Sequence, residues 1–318
     1  MWLSSRAWRW HSAAAMISPA SSPAFRPIGL ACAAVGVLGF SLRPLLVKLA
    51  YGYGADPVAL LTLRMGFALP FFLGMGMWAA RGSVTAPLTG RDMAVVAALG
   101  FVSYYLASLL DFLGLQYVSA GVGRLILFLY PTVVVALSAA FLKRPVTWRE
   151  AAALLVSYAG LGLVMAHATG GPSANLPLGA ALVFGGAVSY AVYLVAGSRA
   201  VPRIGSVRFT AWAMSFATLA VTLHFLLTRP LSALDLPWQV YGLGAVMAVV
   251  STALPVLLTT EALRRIGAND TALVGALGPV STIFLGWIGL DEALTPLQIA
   301  GAGLVLGGVM LVTLRPRG

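Results

Sequence analysis

Apolar residues run through this chain in long stretches, broken by short gaps where proline, glycine and charge collect. A helix needs about 20 mostly apolar residues to cross the hydrocarbon core of a bilayer. By that measure the runs predict ten spans, near 29–50, 59–79, 93–113, 119–142, 150–167, 177–197, 208–228, 239–259, 271–290 and 297–314. The gap KRPVTWRE at 143–150 is too polar to sit in lipid, so it separates the fourth span from the fifth. The expected fold is an all-α polytopic membrane protein of ten transmembrane helices.

Composition agrees. Of the 318 residues, 60% are hydrophobic and only 9% charged, against roughly 25% charged in soluble domains. That is too little charge to solvate a water-facing surface. The net charge of +11 would suggest nucleic acid in a soluble chain. Here the basic residues sit in the gaps between apolar runs and form no aromatic-interleaved patch, so no nucleic-acid partner is expected. Cys32 is the only cysteine, which excludes disulfide and cysteine–metal frameworks. Residues 1–28 carry Arg6, Arg9 and Arg26, and their apolar part AAAMISPA is short and interrupted. They read as a basic cytoplasmic extension rather than a secretory signal.

The distribution of charge sets an orientation. Of the 20 Lys and Arg residues, Arg43, Lys48, Arg64 and Arg124 fall inside spans, and Arg229 falls in an outside loop. With a cytoplasmic N-terminus, all the others alternate onto the inside. One miscounted helix would swap every later loop, so the positive-inside rule supports ten spans with both termini cytoplasmic; the expected location is a plasma (inner) membrane.

The chain also repeats itself. A shift of 148 residues lays LQYVSAGVGRLILFLYPTVVVALSAAFLKRPVT (115–147) on LRRIGANDTALVGALGPVSTIFLGWIGLDEALT (263–295). Leu115/Leu263, Ala120/Ala268, Leu129/Leu277, Pro131/Pro279, Leu142/Leu290 and Thr147/Thr295 coincide. Residues 29–167 and 177–314 then form two repeats of five spans each. An odd number of spans places the copies in opposite orientation, the inverted-repeat plan of many secondary transporters.

These residues carry a resemblance. Leu115-Gln116-Tyr117, Ser119-Ala120, Pro131, Leu142 and Thr147, with the second copy Ala262-Leu263, Ala268, Pro279, Leu290-Asp291-Glu292 and Thr295, resemble the EamA family of the drug/metabolite transporter superfamily. GFSLRPLLVKLA (39–50) and Leu63-Arg64 match that family's first two helices. Lys143-Arg144 departs from the acidic residue usual after the first proline helix. The resemblance implies ten helices in two inverted bundles around a central cavity, and a role in moving amino acids, drugs or other metabolites.

Ionisable residues within spans mark functional sites, because each costs a few kcal/mol or more at the bilayer centre. At 1.5 Å per residue, Arg43 lies about 12 Å, Arg64 about 9 Å and Arg124 about 8 Å from the outer ends of their helices. Asp111 lies near the outer end of the third span, with Tyr104 and Tyr105 about two turns deeper. Arg64 and Arg124 are assigned structural pairing with Asp111 or with carbonyls freed by Pro44 and Pro131. Arg43, beside the helix break at Pro44, is assigned to the cavity wall, where it could hold a carboxylate bidentately. Lys48 is read as an end anchor that snorkels to the interface. Of the aromatics Tyr104, Tyr105, Tyr130, Tyr190, Tyr193, Trp212 and Trp287, Tyr130 and Tyr190 are the preferred lining residues.

The substrate-cavity candidates are thus Arg43, Tyr104, Tyr105, Asp111, Arg124, Tyr130 and Tyr190, with Pro44, Arg64, Pro131, Glu261 and Pro279 as structural or gating candidates. Glu261 is expected to pair with Arg264 and Arg265. No G-x-x-x-x-G-K-[ST] phosphate loop occurs, so ATP-driven transport by this chain alone is not expected. No metal, cofactor or catalytic group is expected either, since the histidines are scattered. The expected function is secondary transport, as an exporter of a small amphipathic metabolite such as an amino acid or organic acid. Organic-cation efflux and a membrane scaffold are the alternatives. Arg43→Gln is expected to abolish transport without loss of folded protein.

Overall fold

A computed structural model of the chain describes residues 25–82, 88–142, 175–275, 277–290 and 295–313, with short stretches between 146 and 163. The first 24 residues, Lys143, Arg144, Asp291, Glu292 and much of the predicted fifth span lie outside the described residues.

Every regular element described is helical. The first span joins α1 (Phe25–Ser41) to α2 (Arg43–Gly52), and the second is α3 (Pro57–Gly82). The third runs through α4 (Gly90–Gly100), a π-helical turn (Phe101–Leu106) and α5 (Ala107–Gly114). The fourth joins α6 (Ala120–Leu127) to α7 (Tyr130–Leu142). In the second half, α8 (Leu176–Ile204) and α9 (Ser206–Thr228) are continuous. They are followed by α10 (Trp238–Ala248), a second π-helical turn (Val249–Ala253), α11 (Leu254–Val274), α12 (Leu277–Leu290) and α13 (Pro296–Thr313). α11 bends at Gly267, where φ is 76° and ψ 178°. That left-handed backbone suits glycine and separates the eighth span from the ninth.

Eight helical stretches among the described residues are long and apolar enough to cross a bilayer, not the ten expected. The fifth predicted span falls largely outside the described residues, and the tenth corresponds to α13, within which the shorter apolar stretch Ile299–Gly308 is described. Large apolar side chains such as Leu226, Leu227, Phe284 and Trp287 stand exposed on the flanks. Such a surface is stable against lipid, not water.

The irregularities themselves repeat. The two π-helical turns begin at Phe101 and Val249, 148 residues apart. The gap between α6 and α7 falls just before Pro131, and the gap between α11 and α12 just before Pro279. A proline cannot donate to the helical ladder and crowds the carbonyl four residues back, so each pair of half-helices parts at its proline. Packing repeats as well. The first span packs on the eighth as the sixth packs on the third, and the first on the ninth as the sixth on the fourth. The second and seventh spans pack on each other, as do the fourth and ninth. Close approach needs small residues. A methyl group on Gly39 would come within 2.8 Å of the Val250 carbonyl, and one on Gly186 within 3.0 Å of the Ala107 carbonyl.

The two halves differ at one break. The first span is interrupted at Leu42, ahead of Pro44, whereas α8 continues unbroken past Tyr190. The break is tied to the other half. Ser41 Oγ lies 2.8 Å from the Val37 carbonyl and 3.2 Å from that of Gly278, and Thr282 Oγ1 donates to the Ser41 carbonyl. Arg43 therefore begins a new helix from an anchored corner.

Candidate functional site

The broken and π-distorted segments meet around one cavity of about 70 Å³, several times the roughly 10–15 Å³ that a water molecule needs. Arg43, Arg64 and Arg124 line it from the first, second and fourth spans. Tyr104, Tyr130 and Tyr190 line it from the third, fourth and sixth. Ser103, Ser108 and Thr252 add hydroxyls, while Val37, Phe40, Leu127, Met214 and Val256 supply apolar wall. The chamber is thus amphipathic, with guanidiniums on a background of aromatic and aliphatic surface.

Each arginine is held differently. Arg43 Nη2 donates to Asp111 Oδ2 at 2.8 Å, with side-chain exposures of only 12% and 3%, and its guanidinium also lies 5.7 Å from the Phe40 ring centroid. Burial in low dielectric makes such a pair stable only when both members stay charged and matched. Asp111, expected to serve Arg64 or Arg124, serves Arg43 instead. Arg64 is 2% exposed. Its guanidinium rests 5.0 Å from the Phe112 ring centroid, and its one hydrogen-bond contact among the described residues is the weak acceptor Met65 Sδ at 3.7 Å. Arg124 is 8% exposed and lies against Gly278, where an added methyl would meet Nη2 at 2.5 Å. No backbone carbonyl freed by Pro44 or Pro131 receives either guanidinium among the described residues.

The tyrosines build the rest of the wall. Tyr130 and Tyr190 meet edge to face at 5.0 Å, and Tyr190 stacks on Tyr193 at 5.8 Å. Tyr130 Oη donates to the Ala272 carbonyl at 3.2 Å. Tyr104 Oη donates to Tyr193 Oη at 2.9 Å, which in turn lies 3.2 Å from Thr260 Oγ1. Thr260 Oγ1 donates onward to the Val256 carbonyl, so a chain of hydroxyls runs behind the cavity wall from Tyr104 to Val256.

Other sequence candidates fall elsewhere. Tyr105, on the opposite side of the π turn from Tyr104, bonds His224 Nδ1 at 3.1 Å and does not line the cavity. Trp212 and Trp287 are 43% and 52% exposed, on the outer flanks. Glu261 accepts from Arg264 Nε at 2.9 Å, from Arg265 Nε at 2.6 Å and from Ser206 Oγ, joining the eighth span to the start of the seventh. Sequence reasoning missed Ser103, Ser108 and Thr252. The repeat held the signal for one of them, because Thr252 stands 148 residues after Tyr104 and faces the same cavity.

Comparisons with known proteins agree with this architecture. The profile of the EamA-like transporter family matches residues 27–166 and 177–314. The uncharacterized transporter YcbK of Bacillus subtilis is 33% identical over 283 residues, covering 85% of this chain and 87% of its own. The threonine/homoserine exporter RhtA of Escherichia coli K12 is 29% identical over 226 residues, covering 69% and 70%. A solved crystal structure superposes with a TM-score of 0.65 on 92% of this chain and 96% of its own, at 20% identity. That last likeness is one of fold.

Proposed function

The chain belongs to the EamA-like transporter family, and from that premise we propose that it exports a small amphipathic metabolite, an amino acid or related organic acid. The observation that carries this reading is the convergence of Arg43, Arg64 and Arg124 on one amphipathic cavity. A planar guanidinium holds a carboxylate through two parallel bonds. The tyrosines and aliphatic side chains opposite can receive an apolar body. The similarity to a protein named as a threonine/homoserine exporter points the same way.

The proposed architecture is ten spans in two inverted five-helix repeats, 29–167 and 177–314, with both termini cytoplasmic in the plasma (inner) membrane. The alternation of basic residues and the exchanged helix pairings support it. Transport then proceeds by alternating access, the two bundles rocking about the shared cavity. The breaks at Pro131 and Pro279 and the two π turns are each doubled across the halves, and they offer paired places for helices to flex. A lipophilic organic cation would find tyrosine faces, but three guanidiniums repel it, so cation efflux is the weaker reading. A scaffold would need neither cavity nor buried charge.

The test is counterflow. Purified protein in liposomes loaded with unlabelled amino or organic acids should accumulate labelled substrate transiently and saturably. A linear, non-saturating leak, or counterflow with organic cations only, would overturn the proposal.

A further inference from the structure

We propose that the cavity is built for a small organic dianion, whose two anionic groups are received by Arg64 and Arg124. The inference rests on reading the cavity as the substrate site and narrows the substrate class. It begins with a charge count. Asp111 alone among the described carboxylates bonds a lining residue, and it is committed to Arg43 at 2.8 Å. Asp56, Asp92, Glu261 and Asp270 are engaged with Arg229, Arg203, Arg264 with Arg265, and Arg26. Asp235, the remaining described carboxylate, does not line the cavity, so among the described residues the wall keeps two guanidiniums with no carboxylate bonded to them.

Both are deeply buried, and neither is satisfied. Arg64, 2% exposed, offers its Nε to nothing, and its polar contacts among the described residues are a thioether and a ring face. Arg124, 8% exposed, joins no ion pair among the described residues and rests on the backbone at Gly278, the start of α12, where the helix dipole adds further positive potential. A buried charge is stable only when paired and hydrogen-bonded. Two such charges lining a single chamber ask for a ligand with two negative groups.

The neutral wall fits the same guest. Ser103 Oγ and Thr252 Oγ1 are buried lining hydroxyls without a bond partner, and they sit on the two π turns. They can serve the remaining lone pairs of anionic oxygens. A zwitterion would bring one carboxylate for two guanidiniums and an ammonium with no free carboxylate to meet it. Its fit is therefore poorer by the same count.

The experiment measures the thermal unfolding midpoint of the full-length protein in detergent, at constant ionic strength, with added succinate, glycerol 3-phosphate, threonine or tetraphenylphosphonium. A ligand that binds the folded state raises the midpoint by mass action. Succinate or glycerol 3-phosphate should raise it more than threonine does, and comparing the two separates a dicarboxylate from a phosphate monoester. Arg124→Gln should weaken succinate about tenfold or more while weakening butyrate less, since one of two charge pairs is lost. Threonine matching succinate would overturn the dianion assignment and leave amino-acid export standing. Stabilisation by tetraphenylphosphonium alone would overturn both. No shift with any anion would overturn the dianion assignment, while counterflow tests the transport reading separately.

Discussion

Arg124 lies against Gly278, the residue 148 positions after Tyr130, while Tyr130 donates to the carbonyl of Ala272, the residue 148 positions after Arg124. The fourth and ninth spans thus cross so that each functional side chain of one repeat meets the small counterpart of the other. Reciprocal contact of this kind is the mark of a two-fold relation. It also explains why the chemistry is one-sided. Arginine and tyrosine fill the first copy, and alanine and glycine in the second make room for them.

Gly278→Ala tests that arrangement. Its methyl would lie 2.5 Å from Arg124 Nη2 and 3.0 Å from Nε, so the guanidinium must move. Transport should fall about tenfold or more, a change of ~1.4 kcal/mol, with folded yield maintained because the clash is with a flexible side-chain end. Gly303→Ala, with nothing within 4 Å, should transport normally. The check is counterflow by both variants at matched protein.

The Arg43–Asp111 pair changes what a single substitution should do. From sequence, Arg43→Gln is expected to remove transport and spare folding. The structure places Asp111, its side chain 3% exposed, in direct contact with that guanidinium, so removing Arg43 strands a buried carboxylate. Breaking a buried pair from one side costs roughly 3–5 kcal/mol. Arg43→Gln and Asp111→Asn should each lower the unfolding midpoint, and the double variant should recover much of the loss. Additive losses would show that the pair does not couple.

Tyr193 carries a similar prediction, in the middle of the hydroxyl chain. It accepts from Tyr104 and faces Thr260, and it is wholly buried. Tyr193→Phe leaves the Tyr104 hydroxyl without its acceptor, at about 1–3 kcal/mol. The Tyr104→Phe/Tyr193→Phe double variant removes both partners and should be the more stable of the two in a thermal melt.

Much of this design was legible in the sequence. The apolar runs located the eight spans found among the described residues, and the 148-residue shift located both proline breaks, because a proline acts through its own ring whatever surrounds it. The arginines announced themselves through the cost of charge in lipid. Partnership was not legible. Arg43, Arg64 and Arg124 lie at comparable depths, and only helix packing decides which of them meets Asp111. The π turns were equally hidden, since no residue type encodes one extra residue in a turn. Tyr104 and Tyr105 are adjacent, and the rotation at that turn sends one into the cavity and the other to His224.

Glu261 offers the last test, away from the cavity. It gathers Arg264, Arg265 and Ser206 around one carboxylate, and so links the end of the eighth span to the first turn of α9. If the bundles rock, this link tethers the seventh span to the eighth on the side where the basic residues collect. Glu261→Gln keeps the shape but removes the negative charge on which Arg264 and Arg265 converge. The ligand-induced shift in unfolding midpoint should be unchanged, because no cavity residue is touched. The transport rate should change by about tenfold, on the scale of ~1.4 kcal/mol in the barrier. A variant with altered ligand affinity and normal turnover would place Glu261 in binding instead, and one with neither effect would make the cluster a static brace.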